Sequence, residues 1–149
     1  MKAYLAARYT RRLELCGYRA DLERLGVEVT SRWLSGSHQL DNQGRPLGDA
    51  GELLFEAGAP EVDHYRWKFA TDDRDDVLAA DTLVAFTEPP RSGRHVELGI
   101  ALGANALGAN KRIVVVGPRE NVFCWLPEVE QHGSWDAYLA ARFFAEADR

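Results

Sequence analysis

The sequence is poor in cysteine, has no long apolar run and carries no excess of positive charge. Its two cysteines, Cys16 and Cys124, lie far apart in the 149 residues and match neither a disulfide framework nor a metal-ligand pair. We therefore expect two structural thiols with no chemistry of their own. No apolar run approaches the ~18 residues that a transmembrane helix needs, so no membrane partner is expected.

The charge of the chain narrows the range of its partners. A formal net charge of −5 argues against a sequence-independent nucleic-acid binder, which usually has a basic surface. Small anions are not excluded, because local groups of arginine oppose the overall sign. The N-terminal apolar stretch is too short for a signal-peptide core, which predicts a cytoplasmic protein. The arginine groups are Arg8, Arg11 and Arg12, and Arg91 and Arg94.

Strand-like and helix-like segments alternate along the chain. The length suits a single domain over residues 1–149, and the alternation predicts an α/β sandwich with a mostly parallel sheet. Functional sites of such sheets lie at the carboxyl ends of the strands, here the loops after Ala7, Phe86 and Gly117. The predicted strands are 2–7, 27–33, 82–86, 112–117 and 128–132, and the predicted helices are 11–25, 61–80, 95–109 and a last one capped by Ser134.

Two further segments are less regular. Residues 34–48 are polar, with three glycines and a proline, and predict a loop near the active face or a lid, while 49–59 predicts a short helix. The pentapeptide ALGAN occurs twice in succession, at 101–105 and 106–110. Five residues turn a helix by ~500°, so the second copy cannot present the same face as the first. We interpret the repeat as a local insertion near the far end of the helix.

Carboxylates are predicted to converge at the carboxyl edge of the sheet. Glu97 opens the helix after the third strand, yet the residues after it are strongly apolar, which indicates a partly buried carboxylate with a perturbed pKa. Thr71 is predicted to cap the second half of helix 61–80, which puts Asp72 and Asp73 in a first turn near the same edge. For either aspartate taken alone, a solvated capping role is the simpler interpretation.

The loop before Glu97 has the composition of an anion site. Ser92 and Gly93 offer backbone N–H groups at the positive end of a helix. Arg91, Arg94 and Arg8 are candidates for the countercharge.

No metal site is predicted. His38 and His95 have no second His or Cys at a ligand spacing, so we expect surface or hydrogen-bonding roles for them. Tyr4 in the first strand is by default a core aromatic whose hydroxyl finds a partner.

Three segments together resemble the nucleoside 2-deoxyribosyltransferase superfamily, which includes the 2'-deoxynucleoside 5'-monophosphate N-glycosidases. They are KAYLAARY, DRDDVLAAD and SGRHVELG, in the family's order over most of the chain. The matched positions are Tyr4 in the first strand, Asp73 eight residues before Asp81, and Glu97 four residues after Gly93. The resemblance implies a flavodoxin-like or Rossmann-like three-layer sandwich with a five-stranded sheet.

The resemblance also implies cleavage of an N-glycosidic bond without a cofactor. Glu97 would attack the anomeric carbon, Asp73 would hold the base and help protonate it as it leaves, and Tyr4 would orient the glutamate. The glycosyl group would then pass to water or to another base. The family therefore leaves an N-glycosidase and a base-exchanging nucleoside 2-deoxyribosyltransferase as alternatives, and a module that binds nucleotides without turnover is a third.

The residue six positions before the glutamate bears on the substrate. Family members that transfer deoxyribose between free nucleosides have an acidic residue there, and the monophosphate hydrolases have serine. This chain has Arg91, with Ser92 next. A basic loop with a hydroxyl and a glycine favours a phosphate, so we expect Ser92 to His95 to hold a nucleotide's anion, with Arg8 as a further contact.

Family sites are also completed by a neighbouring subunit, through a segment after the fourth strand. In this chain that segment is PRENVF, and Asn121 is the residue we expect to contribute. A turn residue in a polar loop is the alternative. The resemblance thus implies a homo-oligomer, a dimer or a larger assembly, acting on a small nucleotide or nucleoside.

Overall fold

A five-stranded parallel sheet forms the centre of the molecule. The computed structural model describes residues 1–36, 38–48, 50–56 and 58–145. The strands are β1 (Lys2–Ala6), β2 (Glu28–Val29), β3 (Gln39–Leu40), β4 (Pro46–Leu47), β5 (Thr82–Phe86), β6 (Arg112–Val116) and β7 (Val129–His132). The helices are α1 (Arg12–Arg24), α2 (Pro60–Ala79), α3 (Arg94–Ala106) and α4 (Trp135–Leu139), which continues as a π-helix over Ala140–Phe144. Short 3₁₀ helices cover Tyr9–Arg11, Arg32–Ser35 and Val122–Trp125.

The sheet has the order β2-β1-β5-β6-β7, with every neighbouring pair parallel, and β3 and β4 form a separate antiparallel pair. β5 and β6 are apolar on both faces because helices cover both sides of the sheet. α2 packs against α3, while α1 contacts α4 through stacked Tyr18 and Trp135 rings 4.7 Å apart. The predicted α/β fold is confirmed, and the order in which strands are added reverses between β1 and β5, where such sheets open a crevice.

The second strand is much shorter than the predicted 27–33, and that prediction is wrong. β2 ends at Val29 because side chains replace the strand ladder beyond it. The Leu5 N–H donates to Ser31 Oγ at 2.7 Å, and Trp33 Nε1 donates to the Leu5 carbonyl at 2.9 Å. Since these bonds satisfy the backbone of β1, the chain turns into a 3₁₀ helix and carries Trp33 over the sheet edge.

α2 is one continuous helix, so the predicted cap at Thr71 is wrong. The helix begins at Pro60, spans 20 residues, and has Thr71 and Asp73 in its interior. Its end is tied to the sheet by the Asp81 N–H, which donates to the Lys2 carbonyl at 2.9 Å. At about 1.5 Å per residue, the eight residues from Asp81 back to Asp73 span about 12 Å, which brings Asp73 towards the carboxyl edge.

The predicted short helix over 49–59 is wrong for the residues that the structure describes there, which exclude Asp49 and Ala57. The segment instead forms turns and a bridge from Leu53 to Leu47. Gly51 and Gly58 have φ values of +82° and +83°, which a right-handed helix does not allow.

At the other end of the chain, α3 stops at Ala106, three residues before its predicted end, and Ser134 caps α4 as predicted, its Oγ accepting from the Ala137 N–H. In the described part of the chain, no helix combines the length and the hydropathy needed to cross a membrane.

Candidate active site

The Tyr4 hydroxyl and the Glu97 carboxylate meet at the carboxyl edge of the sheet. Tyr4 is fully buried in the middle of β1, and its hydroxyl donates to Glu97 Oε1 at 2.5 Å. Glu97 lies in the first turn of α3, which leaves the sheet directly after the neighbouring strand β5. Parallel pairing of β1 with β5 thus brings together two residues 93 positions apart in sequence.

Asp73 reaches the same place from the middle of α2. It is partly buried, and its Oδ1 has no hydrogen-bond partner among the described residues. Asp73 and Glu97 face a cleft with a volume of about 180 Å³. An unpartnered buried carboxylate oxygen in a cleft is a group that a bound ligand can satisfy. The cleft is lined by Ala7, Tyr9, Trp33, His38, Asp73, Ser92, Gly93, Arg94 and Glu97.

Burial moves the pKa of both carboxyls towards neutrality. It raises the pKa of Glu97 to about 7, against the hydrogen bond from Tyr4, which lowers it. It raises the pKa of Asp73 to about 6, while a charge on His38 lowers it and the neighbouring aspartates raise it. The pKa of Tyr4 is raised above its ordinary value, first by burial and then by the charge of Glu97. Tyr4 therefore keeps its proton and acts as a hydrogen-bond donor, and each of the two carboxyls can gain or lose a proton near neutral pH.

The predicted anion-binding residues Arg91 to His95, here called the anion loop, are divided between this cleft and the surface beside it. Ser92, Gly93 and Arg94 line the cleft with Glu97. Arg94, however, is only 2% exposed and is bonded to protein groups.

The remaining predicted anion contacts lie elsewhere. Arg91, His95 and Asn121 line a neighbouring, more open cavity of about 530 Å³, which also includes Arg119 and Glu120. Arg8 follows the cleft residue Ala7 in the chain, but it is exposed and outside the linings of both cavities.

Asn121 has an intrachain role in this structure. Its Oδ1 accepts from the Phe123 N–H at 3.0 Å and thereby caps the 3₁₀ helix Val122–Trp125. Its amide nitrogen lies 3.3 Å from His95 Nδ1.

The aromatic wall of the cleft was missed by sequence reasoning. Tyr9 and Trp33, whose rings are 6.0 Å apart, cover it from the segments after β1 and β2. Trp33 is the last residue of the predicted strand 27–33, and only this place at the carboxyl end of a strand indicates a site residue. His38 belongs to the polar loop 34–48 that was expected near the active face, and it lines the cleft together with Ser92, Gly93 and Arg94.

His38 is held firmly at the cleft. Its Nε2 lies 3.2 Å from Asp72 Oδ2 and its Nδ1 3.1 Å from the Gly36 carbonyl oxygen, and the ring packs on Phe69 at 4.7 Å. Asp72 is in turn bonded by Lys68 at 2.5 Å. Asp72 thus orients a cleft side chain, while its neighbour Asp73 faces the cleft itself.

A separate apolar groove of about 650 Å³ lies along α3 and the 3₁₀ helix Val122–Trp125. Leu98, Leu102, Phe123 and Leu126 form its apolar walls, and Phe123 is 60% exposed. Among the described residues, no group of three or more His, Cys, Asp or Glu side chains could hold a metal ion.

The fold is similar to a solved structure of known activity. The CMP N-glycosidase BcmB of Clostridium botulinum superimposes with a TM-score of 0.54 over 95% of this chain and 97% of that chain, at 18% sequence identity. This likeness confirms the fold that the sequence resemblance implies. No protein-family model matches the sequence, and no curated protein sequence matches it significantly.

Proposed function

We propose that the protein is an N-glycosidase that cleaves the bond between base and sugar in a nucleoside 5'-monophosphate. The observation that carries this proposal is the cleft in which Tyr4, Glu97 and Asp73 meet, with both carboxyls buried enough to titrate near neutrality. A nucleophile and a proton donor of this kind are the two groups that glycosidic cleavage requires.

The reaction proceeds in two displacements. Ionised Glu97 attacks the anomeric carbon and forms an ester bond to it while the bond from carbon to base nitrogen breaks, and protonated Asp73 gives its proton to the leaving base. Water then attacks the same carbon, its proton returns to Asp73, and Glu97 leaves as a carboxylate. Tyr4 holds Glu97 through the 2.5 Å hydrogen bond and stabilises its charge.

Burial is the largest cause of both pKa shifts, and it raises the pKa of Glu97 to about 7 and that of Asp73 to about 6. A single proton shared by the two carboxyls therefore lies more often on Glu97 than on Asp73. Because the two carboxyls interact, their titration is that of a pair, and the reaction proceeds from the minor form of the singly protonated pair, in which the proton lies on Asp73 and Glu97 is ionised.

Two groups of residues in the cleft suit the two ends of a nucleotide. Ser92 and Gly93 offer a hydroxyl and helix N-terminal N–H groups for a phosphate, and exposed Arg91 next to them adds positive charge. Among the other lining residues, Trp33, Tyr9 and His38 offer ring surfaces to a base. Because the similar structure is that of a CMP N-glycosidase, CMP is the first substrate to test.

The test is a substrate panel. The protein is incubated with ribo- and deoxyribonucleoside 5'-monophosphates of each base and with the matching nucleosides, and free base is measured by chromatography. We expect release from at least one monophosphate at a higher kcat/KM than from its nucleoside, and no release by Glu97→Ala. Release that survives Glu97→Ala undiminished would reject the assigned nucleophile.

Transfer to a second base is the alternative outcome of the same chemistry. Adding a different free base to the reaction distinguishes it, since a transferase forms a new nucleoside or nucleotide. Saturable binding without release of base from any substrate would instead indicate a nucleotide-binding module.

We further propose that the protein acts as a homo-oligomer. The apolar groove along α3 is lined in part by Asn121, and burying it against a second copy would remove exposed Phe123 from water. Light scattering after size exclusion should give at least twice the 16.7 kDa of one chain. Phe123→Asp should then shift the mass to that of a monomer, and a monomeric wild-type protein would reject this proposal.

A further inference from the structure

Arg94 is the most deeply buried charged side chain of the anion loop. Its side chain is only 1% exposed. Nη1 donates to the Pro89 carbonyl at 3.1 Å and to Ser92 Oγ at 2.8 Å, and Nη2 donates to the Thr87 carbonyl at 2.8 Å and to Glu120 Oε1 at 2.5 Å.

Because of these contacts, Arg94 cannot donate a bidentate pair of hydrogen bonds to a ligand. A guanidinium has five N–H donors, four of them on the terminal nitrogens. All four are directed at protein groups, and only the single Nε–H has no partner among the described residues. A phosphate that took a bidentate pair of bonds from Arg94 would have to break two of the existing ones.

The contacts of Arg94 determine what Ser92 can do. A serine hydroxyl accepts two hydrogen bonds and donates one. Ser92 Oγ accepts from Arg94 Nη1 at 2.8 Å and from the Arg94 backbone N–H at 3.3 Å, so both acceptor positions are filled. The remaining capacity of the hydroxyl is its O–H donor, and Ser92 lines the cleft that contains Glu97.

Glu120 holds Arg94 in this position. It comes from the loop after β6, is only 12% exposed, and supplies the negative charge that a buried guanidinium requires. Its second oxygen lies 3.5 Å from His95 Nε2 on the next residue of α3. The ion pair therefore joins the loops that follow two neighbouring strands of the sheet.

We propose that Arg94 and Glu120 are positioning residues that fix the Ser92 hydroxyl as a hydrogen-bond donor towards the phosphate of the substrate. Neither side chain of the pair touches the substrate phosphate with its charged end. This inference rests on the proposed function for its substrate, but the loop geometry that it describes does not depend on turnover.

The experiment is a double-mutant cycle on Glu120 and Ser92. The variants are Ser92→Ala, Glu120→Ala and both together, measured with the monophosphate that the panel cleaves best, CMP being tried first. A hydrogen bond to a charged phosphate gives a factor of about 10 or more in binding. We expect each single variant to raise KM about 10-fold with kcat within about 2-fold, and the double variant to raise it no further than Ser92→Ala alone.

Two more variants separate positioning from stability. Glu120→Gln keeps an oxygen acceptor for Arg94 and should restore most of the wild-type KM. Glu130→Ala removes the partner of Arg112, another bidentate pair with bonds of 2.6 and 2.7 Å, which joins β6 and β7 away from the cleft. It should lower the melting temperature and leave KM unchanged. Independent effects of Glu120→Ala and Ser92→Ala that multiply to about 100-fold would overturn the proposal, as would an equal KM effect of Glu130→Ala.

Amide hydrogen exchange gives a measurement that does not depend on catalysis. In Glu120→Ala, the amides of residues 91–94 should exchange at least about 10-fold faster, whereas Glu130→Ala should leave them unchanged. Unchanged exchange in Glu120→Ala would overturn the positioning role even if the enzyme is active. Faster exchange in a protein that cleaves no nucleotide would reject the proposed function but support the positioning of the loop by Arg94 and Glu120.

Discussion

Tyr4 and Glu97 form a direct hydrogen bond between the first strand and α3, the helix that follows the anion loop. The hydroxyl of Tyr4 lies 2.5 Å from Glu97 Oε1, and Tyr4 is fully buried beneath it. The bond opposes the effect of burial on the pKa of Glu97, since burial favours the neutral acid and the phenol favours the anion. A buried carboxylate that must act as a nucleophile needs such a donor.

Replacing Glu97 by glutamine should abolish base release while the fold persists. The amide keeps the size of the side chain but cannot form the ester to the sugar carbon. We expect kcat to fall by at least about 10³-fold. Base release is measured by chromatography, with circular dichroism as the control for folding. A variant that retains a tenth of the wild-type rate would contradict the role of Glu97.

Tyr4→Phe should change the pH dependence of the reaction as well as its rate. Losing the donor raises the pKa of Glu97, because the hydrogen bond from Tyr4 lowers it in the wild type. The acidic limb of the kcat/KM profile should therefore move to higher pH, and kcat should fall about 10-fold. An acidic limb at the wild-type position would show that Tyr4 does not stabilise the Glu97 anion.

Asp73→Asn should lower the rate of cleavage most for substrates whose leaving base must be protonated. General acid catalysis contributes about 10²–10⁴-fold. The loss should be of this size for a natural base and much smaller for a substrate with an activated leaving group that departs as an anion. Equal losses for both substrates would contradict proton donation by Asp73.

The two carboxyls should make the protein less stable as pH rises. Their pKa values increase on folding, from 4.5 to about 7 for Glu97 and from 3.8 to about 6 for Asp73. Over this interval the folded chain binds more protons at these groups than the unfolded chain, so their contribution to stability is present below about pH 4 and is lost as pH rises through 6 and 7.

Glu97→Gln should consequently be more stable than the wild type at pH 8, by about 1 kcal/mol or 2–4 °C in melting temperature. At pH 4 the two should melt within about 1 °C of each other. The comparison with the wild type is needed because the pKa values of Asp72 and Glu130 are lowered and act in the opposite sense. A variant less stable than the wild type at pH 8 would refute the assignment.

Gly117→Ala should destabilise the protein by about 1–3 kcal/mol. Gly117 has a φ of +111°, and an added Cβ would lie 2.6 Å from Thr87 Oγ1. Gly103→Ala is the matched control, since Gly103 lies in α3 and an added Cβ would meet nothing within 4 Å. Alanine there should leave the protein as stable or raise its stability by about 0.5–1 kcal/mol. Melting curves of both variants test the contrast.

The sequence predicted the sheet and the place of Glu97 because both rest on local signals. The apolar run at 112–117 indicated a strand buried on both faces, and β6 follows it to Val116. Glu97 was singled out as a carboxylate before an apolar helix face, and it lies in the first turn of α3. The contact of Glu97 with Tyr4 was not predictable from the residues alone, because it depends on the pairing of β1 with β5 across 93 positions.

The role of Arg94 differs from the one that its sequence position predicts. Its place in a basic loop at a helix start predicted a direct anion contact, but a buried acidic partner 26 positions away, Glu120, occupies the guanidinium. The sequence shows that Arg94 is charged, but it does not show that the side chain is buried against an acidic partner. His38 likewise reaches the cleft only because Asp72 and Phe69 on α2 hold it there.

The two ALGAN copies separate what the sequence determined from what the tertiary structure decided. The first copy is helical in α3, while the second leaves the helix after Ala106, with Gly108 at a φ of +97° and Asn110 at +55°. Asn105 in the first copy bonds both the N–H and the carbonyl of Lys111. Identical residues thus take different conformations because β6 must begin at Arg112 beside β5. The sequence by itself determined which segments form strands and helices, through apolar periodicity, but side-chain partners distant in the chain decided where elements end and which charges face the cleft.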